Sequence, residues 1–280
     1  MRKLMVFGIA AALSVGAVAE EINGHKVLYG DGGGGYWSGV VWSDTPGGPR
    51  NRTWENDAIG VVESGNINRP QNAEDLQVYG ILWKSGSYFM FSGAGRLLLG
   101  AGGLELFADM KFNSTVGNAF HLTDSQAWRS SSDTARSVTL FSSTQYLKAG
   151  NPPVISAADD VELTLGPNLT WFMQGQIAFD EADITVGSSG KLAISYLAAG
   201  DTKAKIRTLT VDGSTSSAIT LPSGVGRLQI GTLILRNGGQ LSVSHSTTSA
   251  GFAVDEIADS LVADSGSGTL VGKIAGERMR

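Results

Sequence analysis

A strand–turn–strand unit recurs along the chain at a nearly constant spacing, and this repeat constrains the fold more than any other feature. The segment 184–195 (ITVGSSGKLAIS) aligns without a gap with 233–244 (LILRNGGQLSVS), 49 residues later. A third copy, 209–220, lies between them at offsets of 25 and 24 residues and carries one inserted residue. A shorter earlier copy is 97–106 (LLLGAGGLEL). Short runs of alternating apolar residues on both sides of a glycine-rich turn are typical of strands.

A fixed period in the twenties predicts a β-solenoid, in which the units stack as successive coils. One unit has an apolar side that it cannot bury alone, and stacking buries these sides in one core, with strands about 4.8 Å apart. The alternative is an antiparallel sandwich in which each unit is a hairpin, but hairpins rarely keep a constant spacing. We therefore predict an all-β fold, a single-stranded parallel β-helix in which Leu235 points inward beside Val186 and Val211.

Composition narrows the class of protein further. The 38 glycines are close to twice the usual share of about 7%, and they show no three-residue period, which excludes collagen. Apolar residues make up 42% of the chain, too many for a disordered protein. The net charge of -5 argues against nucleic-acid binding, which needs a basic face. The sequence has no cysteine, so neither a disulfide nor a cysteine-linked lipid can form.

The first residues have the three parts of a secretory signal peptide, which we place at 1–19. A basic start at 2–3 is followed by an uncharged apolar run over 4–15 and a small-residue cleavage site at 17–19. The apolar run is shorter than the ~20 residues that a membrane-spanning helix needs. We therefore predict that the mature chain begins at Glu20 and is exported to the periplasm, the cell surface or the extracellular medium.

The rest of the chain divides by composition. Residues 20–75, rich in glycine and tryptophan, are predicted to form an N-terminal entry and cap. Residues 76–280 are predicted to form the solenoid, with a polar, serine-rich insertion around 113–157. Residues 252–262 are the one candidate for a short helix.

Several short motifs in the mature chain share a family resemblance. They are 35–42 (GYWSGVVW), 54–58 (WENDA), 61–66 (VVESGN), 102–106 (GGLEL) and 190–194 (GKLAI). Together they resemble secreted bacterial proteins with autotransporter-associated β-strand repeats. The resemblance covers most of the mature chain and implies a right-handed parallel β-helix of the passenger type. The chain ends in Arg280 instead of the aromatic residue that closes the translocator of self-exporting members, so the resemblance implies a passenger without a translocator barrel.

Four aromatic residues crowd the N-terminal segment and are the candidate ligand-binding residues: Tyr36, Trp37, Trp42 and Trp54. Flat ring faces stack on sugars, so these residues can form a platform for polysaccharide. The alternative is an N-terminal aromatic cap, because the terminal coils of a solenoid must be covered. We expect the cap for Trp42 and Trp54, since both precede stretches that enter the first coil.

No motif in the sequence identifies an enzyme site. Residues 30–35 (GDGGGG) match the dinucleotide fingerprint, but no helix is predicted after them. No histidine has a second histidine at ligand spacing, so we predict no metal site. A Ser–His–Asp site built from His121, Asp124 and Ser125 lacks the nucleophile elbow that such sites use.

Clustered carboxylates are the remaining candidates for chemistry. They lie at 159–160, 180–183 and 255–256. Paired acids can hydrolyse a glycosidic bond or hold calcium, but they also occupy the polar corners of coils. An enzyme site needs a basic residue among the acids, and the only close group is Lys203, Lys205 and Arg207 near Asp201. We predict no catalytic residue.

Three hypotheses of function follow. The first is an exported structural or adhesive protein, non-enzymatic, that works through an extended repetitive surface. The second is an enzyme acting on polysaccharide, and the third is a carbohydrate-binding protein that uses the tryptophan cluster. We favour the first, with polysaccharide or cell-surface components as partners and with no cofactor.

Overall fold

The described part of the chain is built from β-strands. The computed structural model describes residues 20–31, 33–68, 73–85, 89–91, 95–114, 118–141, 154–174, 176–196, 203–213, 216–221, 227–245, 257–263 and 269–273. Within these ranges no helix is formed, and none is therefore available to span a bilayer. The predicted signal peptide, 1–19, lies outside the described residues.

The strands, numbered in chain order, form two sheets of 14 and 10 strands. The first sheet contains β1 (Glu21–Ile22), β2 (His25–Gly30), β4 (Trp42–Ser43), β5 (Ala58–Val62), β7 (Leu76–Trp83), β9 (Leu97–Leu106), β11 (Asn118–Leu122), β12 (Gln126–Ser130), β14 (Val154–Ala157), β15 (Glu162–Leu165), β17 (Gln176–Val186), β19 (Lys203–Asp212), β21 (Arg227–Arg236) and β23 (Ile257–Ala263). The second contains β3 (Gly33–Tyr36), β6 (Asn66–Asn68), β8 (Phe89–Phe91), β10 (Met110–Ser114), β13 (Arg136–Phe141), β16 (Leu169–Gln174), β18 (Lys191–Tyr196), β20 (Ser216–Leu221), β22 (Gln240–His245) and β24 (Thr269–Lys273).

The chain passes repeatedly from the first sheet to the second, and each pass adds one coil to a parallel β-solenoid. Consecutive strands of the second sheet pair in parallel, as β18 does with β20 and β20 with β22. The 10 strands of that sheet have nine spacings of about 4.8 Å, so the ladder is roughly 43 Å long. The predicted all-β solenoid is confirmed.

The predicted register of the three long copies is also confirmed. Two rows of aligned residues lie side by side on β17, β19 and β21, and their side chains are buried. The first row is Ile184, Leu209 and Leu233, and the second is Val186, Val211 and Leu235. Only 3% of Leu235 is exposed, as expected for an inward position.

The longer strands of the first sheet bend, so each coil has three sides. The strand β9 pairs with β11 through residues 97–99 and with β12 through 104–106. In the same way β17 pairs with β14 before the bend and with β15 after it. The register shifts between Phe179 and Asp183, which marks the bend. The two halves of the first sheet and the second sheet therefore enclose the core.

The alignment of the shorter copy, 97–106, with the later copies is wrong. Its glycine-rich stretch lies inside a single strand, β9, at the bend, whereas the corresponding stretch of 184–195 is a turn between the two sheets. Gly103 has a φ of +60°, and a Cβ there would lie 2.2 Å from the carbonyl oxygen of Ala127. The bend therefore requires glycine at this position, as a tight turn does.

Two expectations about organisation need correction. The segment 113–157, predicted as a polar insertion, contains β11, β12 and β14, which pair within the first sheet. Its described polar residues alternate with buried ones, as beside Trp128 and Ile155, so the described parts of the segment, 113–114, 118–141 and 154–157, belong to the ladder. The predicted helix at 252–262 is wrong over 257–262, which lie in β23, a strand that pairs in parallel with β21 and satisfies that strand's edge. Residues 252–256 lie outside the described residues.

The core runs through successive coils from Leu28 to Leu241 without interruption. Every tryptophan of the chain is buried in it. They are Trp37, Trp42, Trp54, Trp83, Trp128 and Trp171. A buried indole N–H usually needs an acceptor, and the N–H of Trp128 donates to Gln126 Oε1 at 2.9 Å. The amide of Gln126 in turn donates to the carbonyl of Leu99 at 3.0 Å, which satisfies the polar group inside the core.

Candidate functional site

The three tryptophans among the candidate ligand-binding residues, Trp37, Trp42 and Trp54, pack against one another in the core. Their ring centroids lie 4.8 Å apart for Trp37 and Trp42, and 4.9 Å apart for each of the other two pairs, with the rings inclined at 56–63°. The indole N–H of Trp42 donates to the carbonyl of Trp37 at 2.8 Å, and that of Trp54 to the carbonyl of Gln77 at 2.9 Å. Edge-to-face pairs of this kind stabilise beyond simple burial.

Two glycines make room for this tryptophan cluster (Trp37, Trp42 and Trp54). A Cβ at Gly60 would lie 2.9 Å from Cζ2 of Trp37, and one at Gly30 would lie 3.0 Å from Cζ3 of Trp42. The strands β2 and β5 therefore present bare backbone where the indoles pack. A close approach of this kind is available only to glycine.

The burial of these rings bears on the predicted sugar platform. Trp37 and Trp42 are fully buried and Trp54 is 9% exposed, so their ring faces pack on protein. A sugar cannot stack on a face that is already covered, and a platform of three exposed indoles is therefore not formed. Tyr36, in β3, is half-buried. A ligand contact at Tyr36 and the capping role of the tryptophan cluster both stay predictions.

Two of the three predicted carboxylate clusters contribute aspartates to ion pairs between coils. The guanidinium of Arg207 donates to both carboxylate oxygens of Asp183, at 2.9 and 2.8 Å, and to Asp160 at 2.6 Å. Burial alone would raise the pKa of Asp183, but the hydrogen bonds from Arg207 and Thr208 outweigh it, and the pKa lies below its ordinary value. A general acid needs the opposite shift. Asp201 and the pair at 255–256 lie outside the described residues.

His121, the histidine considered for a Ser–His–Asp site, is half-buried and contacts a serine of another strand. His121 Nδ1 lies 2.8 Å from Ser156 Oγ on the next coil, whereas the hydroxyl of Ser125 accepts the backbone N–H of Glu162. His121, Asp124 and Ser125 therefore do not form the Ser–His–Asp arrangement that the sequence analysis set aside. Burial, and secondly the charge of Arg96, lower the pKa of His121 below its usual range. Its imidazole is neutral near pH 7.

A lateral groove with a volume of about 370 Å³ lies on the outside of the first sheet. It crosses the strands, so it runs along the axis of the solenoid. His25 of β2, Tyr79 of β7 and Ala101 of β9 line it, together with two carboxylates. They are Asp57, just before β5, and Asp124, just after β11.

The walls of this groove are held in place by contacts between coils. The rings of His25 and Tyr79 stack with their centroids 3.5 Å apart and their planes inclined by 13°. His25 Nδ1 donates to the carbonyl of Asp57 at 3.0 Å and lies 3.2 Å from its carboxylate. The hydroxyl of Thr123 donates to the carboxylate of Asp124 at 2.9 Å. The groove therefore has walls of fixed geometry.

The floor of the groove is the glycine-rich bend of β9. A Cβ at Gly100 would lie 3.6 Å from the carboxylate of Asp124, and one at Gly102 would lie 2.8 Å from Cδ1 of Tyr79. Because Gly100 has no side chain, space remains beside the carboxylate of Asp124. Because Gly102 has none, the ring of Tyr79 packs directly against the backbone. The sequence signal was the glycine run at 100–103, which alignment with the turns of later copies concealed.

The described residues form neither the nucleotide site that the 30–35 motif would need nor a recognisable metal site. The 30–35 motif runs from the end of β2 into β3, so a strand follows where a nucleotide site needs a helix N-terminus. Within the ranges given above, no three His, Asp or Glu side chains are grouped so that they could hold a metal ion. No family model, curated protein or solved structure matches the chain.

Proposed function

We propose that the protein is an exported structural or adhesive β-helix protein, non-enzymatic, that presents an extended repetitive surface. The observation that carries the proposal is the continuous parallel ladder, with one core running through its coils. A rod about 43 Å long that repeats its faces at every coil offers many equivalent contacts along one direction. Weak contacts repeated in this way give strong retention on a surface.

The outer face of the ladder supports this proposal through its ion pairs. Several of the described pairs join neighbouring coils and restrain long side chains on the surface. They include Arg129 with Glu105 at 2.8 Å, Arg207 with Asp183 at 2.8 Å and Arg236 with Asp212 at 3.0 Å. A surface whose side chains are already ordered loses less entropy when a partner binds.

Export rests on the sequence of the leader and on the resemblance to passenger proteins. The leader at 1–19 has the basic, apolar and cleavage segments of a signal peptide. The short tryptophan and glycine motifs resemble autotransporter-associated β-strand repeats. The proposed location is therefore outside the cytoplasm, on the cell surface, in the medium or in the periplasm.

The enzymatic alternative is not favoured by the described carboxylates. Asp160 and Asp183 share the guanidinium of Arg207, and Lys205 lies 4.0 Å from Asp180. A glycosidase requires two carboxyl groups with different pKa values on either side of a bond. Asp160, Asp180 and Asp183 instead form salt bridges that join strands of different coils.

Two measurements test the proposal. The full chain is expressed in a bacterial host, and N-terminal sequencing of the exported fraction should find Glu20 at the start. Beads coated with residues 20–280 are then washed over cells and over polysaccharide-coated glass under flow. We expect retention several-fold above beads coated at equal density with Leu235→Asp, in which the ladder is broken. Retention equal to that control, or an exported chain that still begins at Met1, would contradict the proposal.

A further inference from the structure

We propose that the lateral groove between His25 and Asp124 binds a donor-rich sugar, neutral or amine-bearing, of an extracellular polysaccharide. The inference deepens the adhesive function proposed above and depends on it for its biological meaning. It assigns the contact to a site apart from the tryptophan cluster, whose rings are buried. The groove is concave, its walls are joined by contacts between coils, and polar groups line it, which together mark a binding site.

The size and direction of the groove favour a stretch of chain over a compact ligand. Its volume of about 370 Å³ falls in the range of small-molecule sites, roughly 300–1,000 Å³. It crosses the strands from β2 to β11, so its long axis follows the rod. A polymer can therefore enter and leave along the rod and continue beyond it on either side.

The charge of the groove selects the ligand. The carboxylates of Asp57 and Asp124 are both exposed, that of Asp57 to 63%. Among the described residues, neither is paired with a lysine or arginine. No lysine or arginine is among the described residues that line the groove. A carboxylate only accepts hydrogen bonds, so its partner must donate them. Sugar hydroxyls and ammonium groups donate, whereas an acidic polysaccharide would be repelled.

The fixed walls of the groove lower the entropy lost on binding. His25 is held by Asp57 and by the ring of Tyr79, and Asp124 already accepts one hydrogen bond from Thr123. Preorganised acceptors bind a hydroxyl pair more tightly than mobile side chains do.

Isothermal titration calorimetry on the mature chain tests the inference with three soluble probes: a neutral galactomannan, chitosan oligosaccharides and alginate. We expect binding of the first two and none of alginate. Asp57→Asn and Asp124→Asn should each weaken binding about tenfold or more, since a hydrogen bond to a charged group is lost. Asparagine tolerates the φ of +64° at position 57, so this variant keeps the backbone.

Two further variants make the test specific. Ala101→Phe places a ring in the groove from an exposed position and should abolish binding while melting as the wild type does. Asp180→Asn removes an exposed carboxylate of equal charge outside the groove and should leave binding unchanged. Binding that survives Ala101→Phe would place the sugar elsewhere and overturn the inference. So would a loss with Asp180→Asn equal to that with Asp124→Asn, because it would indicate nonspecific attraction.

The two proposals fail separately. If the coated beads are retained on cells but no probe binds, the groove assignment is wrong and the adhesive function stands. If a probe binds in the groove but the beads are not retained, the sugar site stands and the adhesive function is wrong.

Discussion

Replacing Trp42 by alanine tests the packing of the N-terminal end of the solenoid. The indole is fully buried, contacts Trp37 and Trp54 at centroid distances of 4.8 and 4.9 Å, and donates one hydrogen bond of 2.8 Å. Deletion of a buried aromatic side chain costs about 3–5 kcal/mol. Two aromatic pairs, at about 0.5–1.5 kcal/mol each, and the stranded carbonyl of Trp37 place the loss at the upper end of that range. We therefore expect about 5 kcal/mol.

The assay is thermal unfolding of the mature chain, followed by circular dichroism in the β region. A loss of about 5 kcal/mol should lower the melting temperature by roughly 10–20 °C, since 1 kcal/mol shifts it by about 2–4 °C in a domain of this size. Phe172→Ala is the matched control, because this aromatic ring is 39% exposed and should change the melting temperature by little. The coils unfold from the weakened end first, so the transition should also broaden.

The result that would refute this packing argument is specific. It is a Trp42→Ala protein that melts with the wild type but no longer binds any polysaccharide. The indole would then be exposed in solution and would act as a sugar platform. A smaller loss for Trp54→Ala, at 9% exposure, supports the packing argument if it ranks below Trp42→Ala.

Three further outcomes follow. Leu235→Asp buries an unpaired charge in the confirmed register and should cost several kcal/mol in a urea titration; an unchanged midpoint would contradict the inward position. Because the pKa of His121 is lowered in the folded chain, the unfolded chain binds the extra proton first, so stability should fall as the pH drops below about 6.5; His121→Gln should flatten that part of the profile. Because the pKa of Asp183 is lowered in the folded chain, its carboxylate stabilises the protein above about pH 4, and this contribution is lost as the pH falls further. Arg207→Gln should remove this contribution to the fall in stability at acid pH; the same slope in the variant would count against the ion pair.

The sequence was sufficient for the register of the three long repeat copies and insufficient for the N-terminal coils and for β23, where a helix was predicted. In 184–195 and 233–244 alternation and spacing are regular, so the alignment alone placed Leu235 beside its neighbours. In 97–106 a glycine run inside a bent strand has the same local composition as a turn, and no local pattern separates the two. Burial of the whole tryptophan cluster depends on Gly60, whose role is visible only once β5 is stacked.

The site features escaped prediction for a related reason. Arg207 and Asp160 are 47 residues apart, and the groove takes its residues from five strands or their ends. Residues from different coils meet only through the stacking order, and coil lengths vary along the chain. Because the coils differ in length, the sequence alone does not predict which side chains of different coils become neighbours.

The two short antiparallel strands at the start of the first sheet have a consequence for how the chain assembles. Both β1 and β4 pair with β2 and occupy its outer edge, so this end of the sheet offers few backbone groups to another chain. A polypeptide that enters a new compartment N-terminus first delivers this closed end first. Each segment that follows then has a single growing front on which to pair, and the newest coil is exposed only until the next one arrives. Export of the kind proposed above would therefore make assembly vectorial, and the order of emergence would protect the nascent ladder from aggregation.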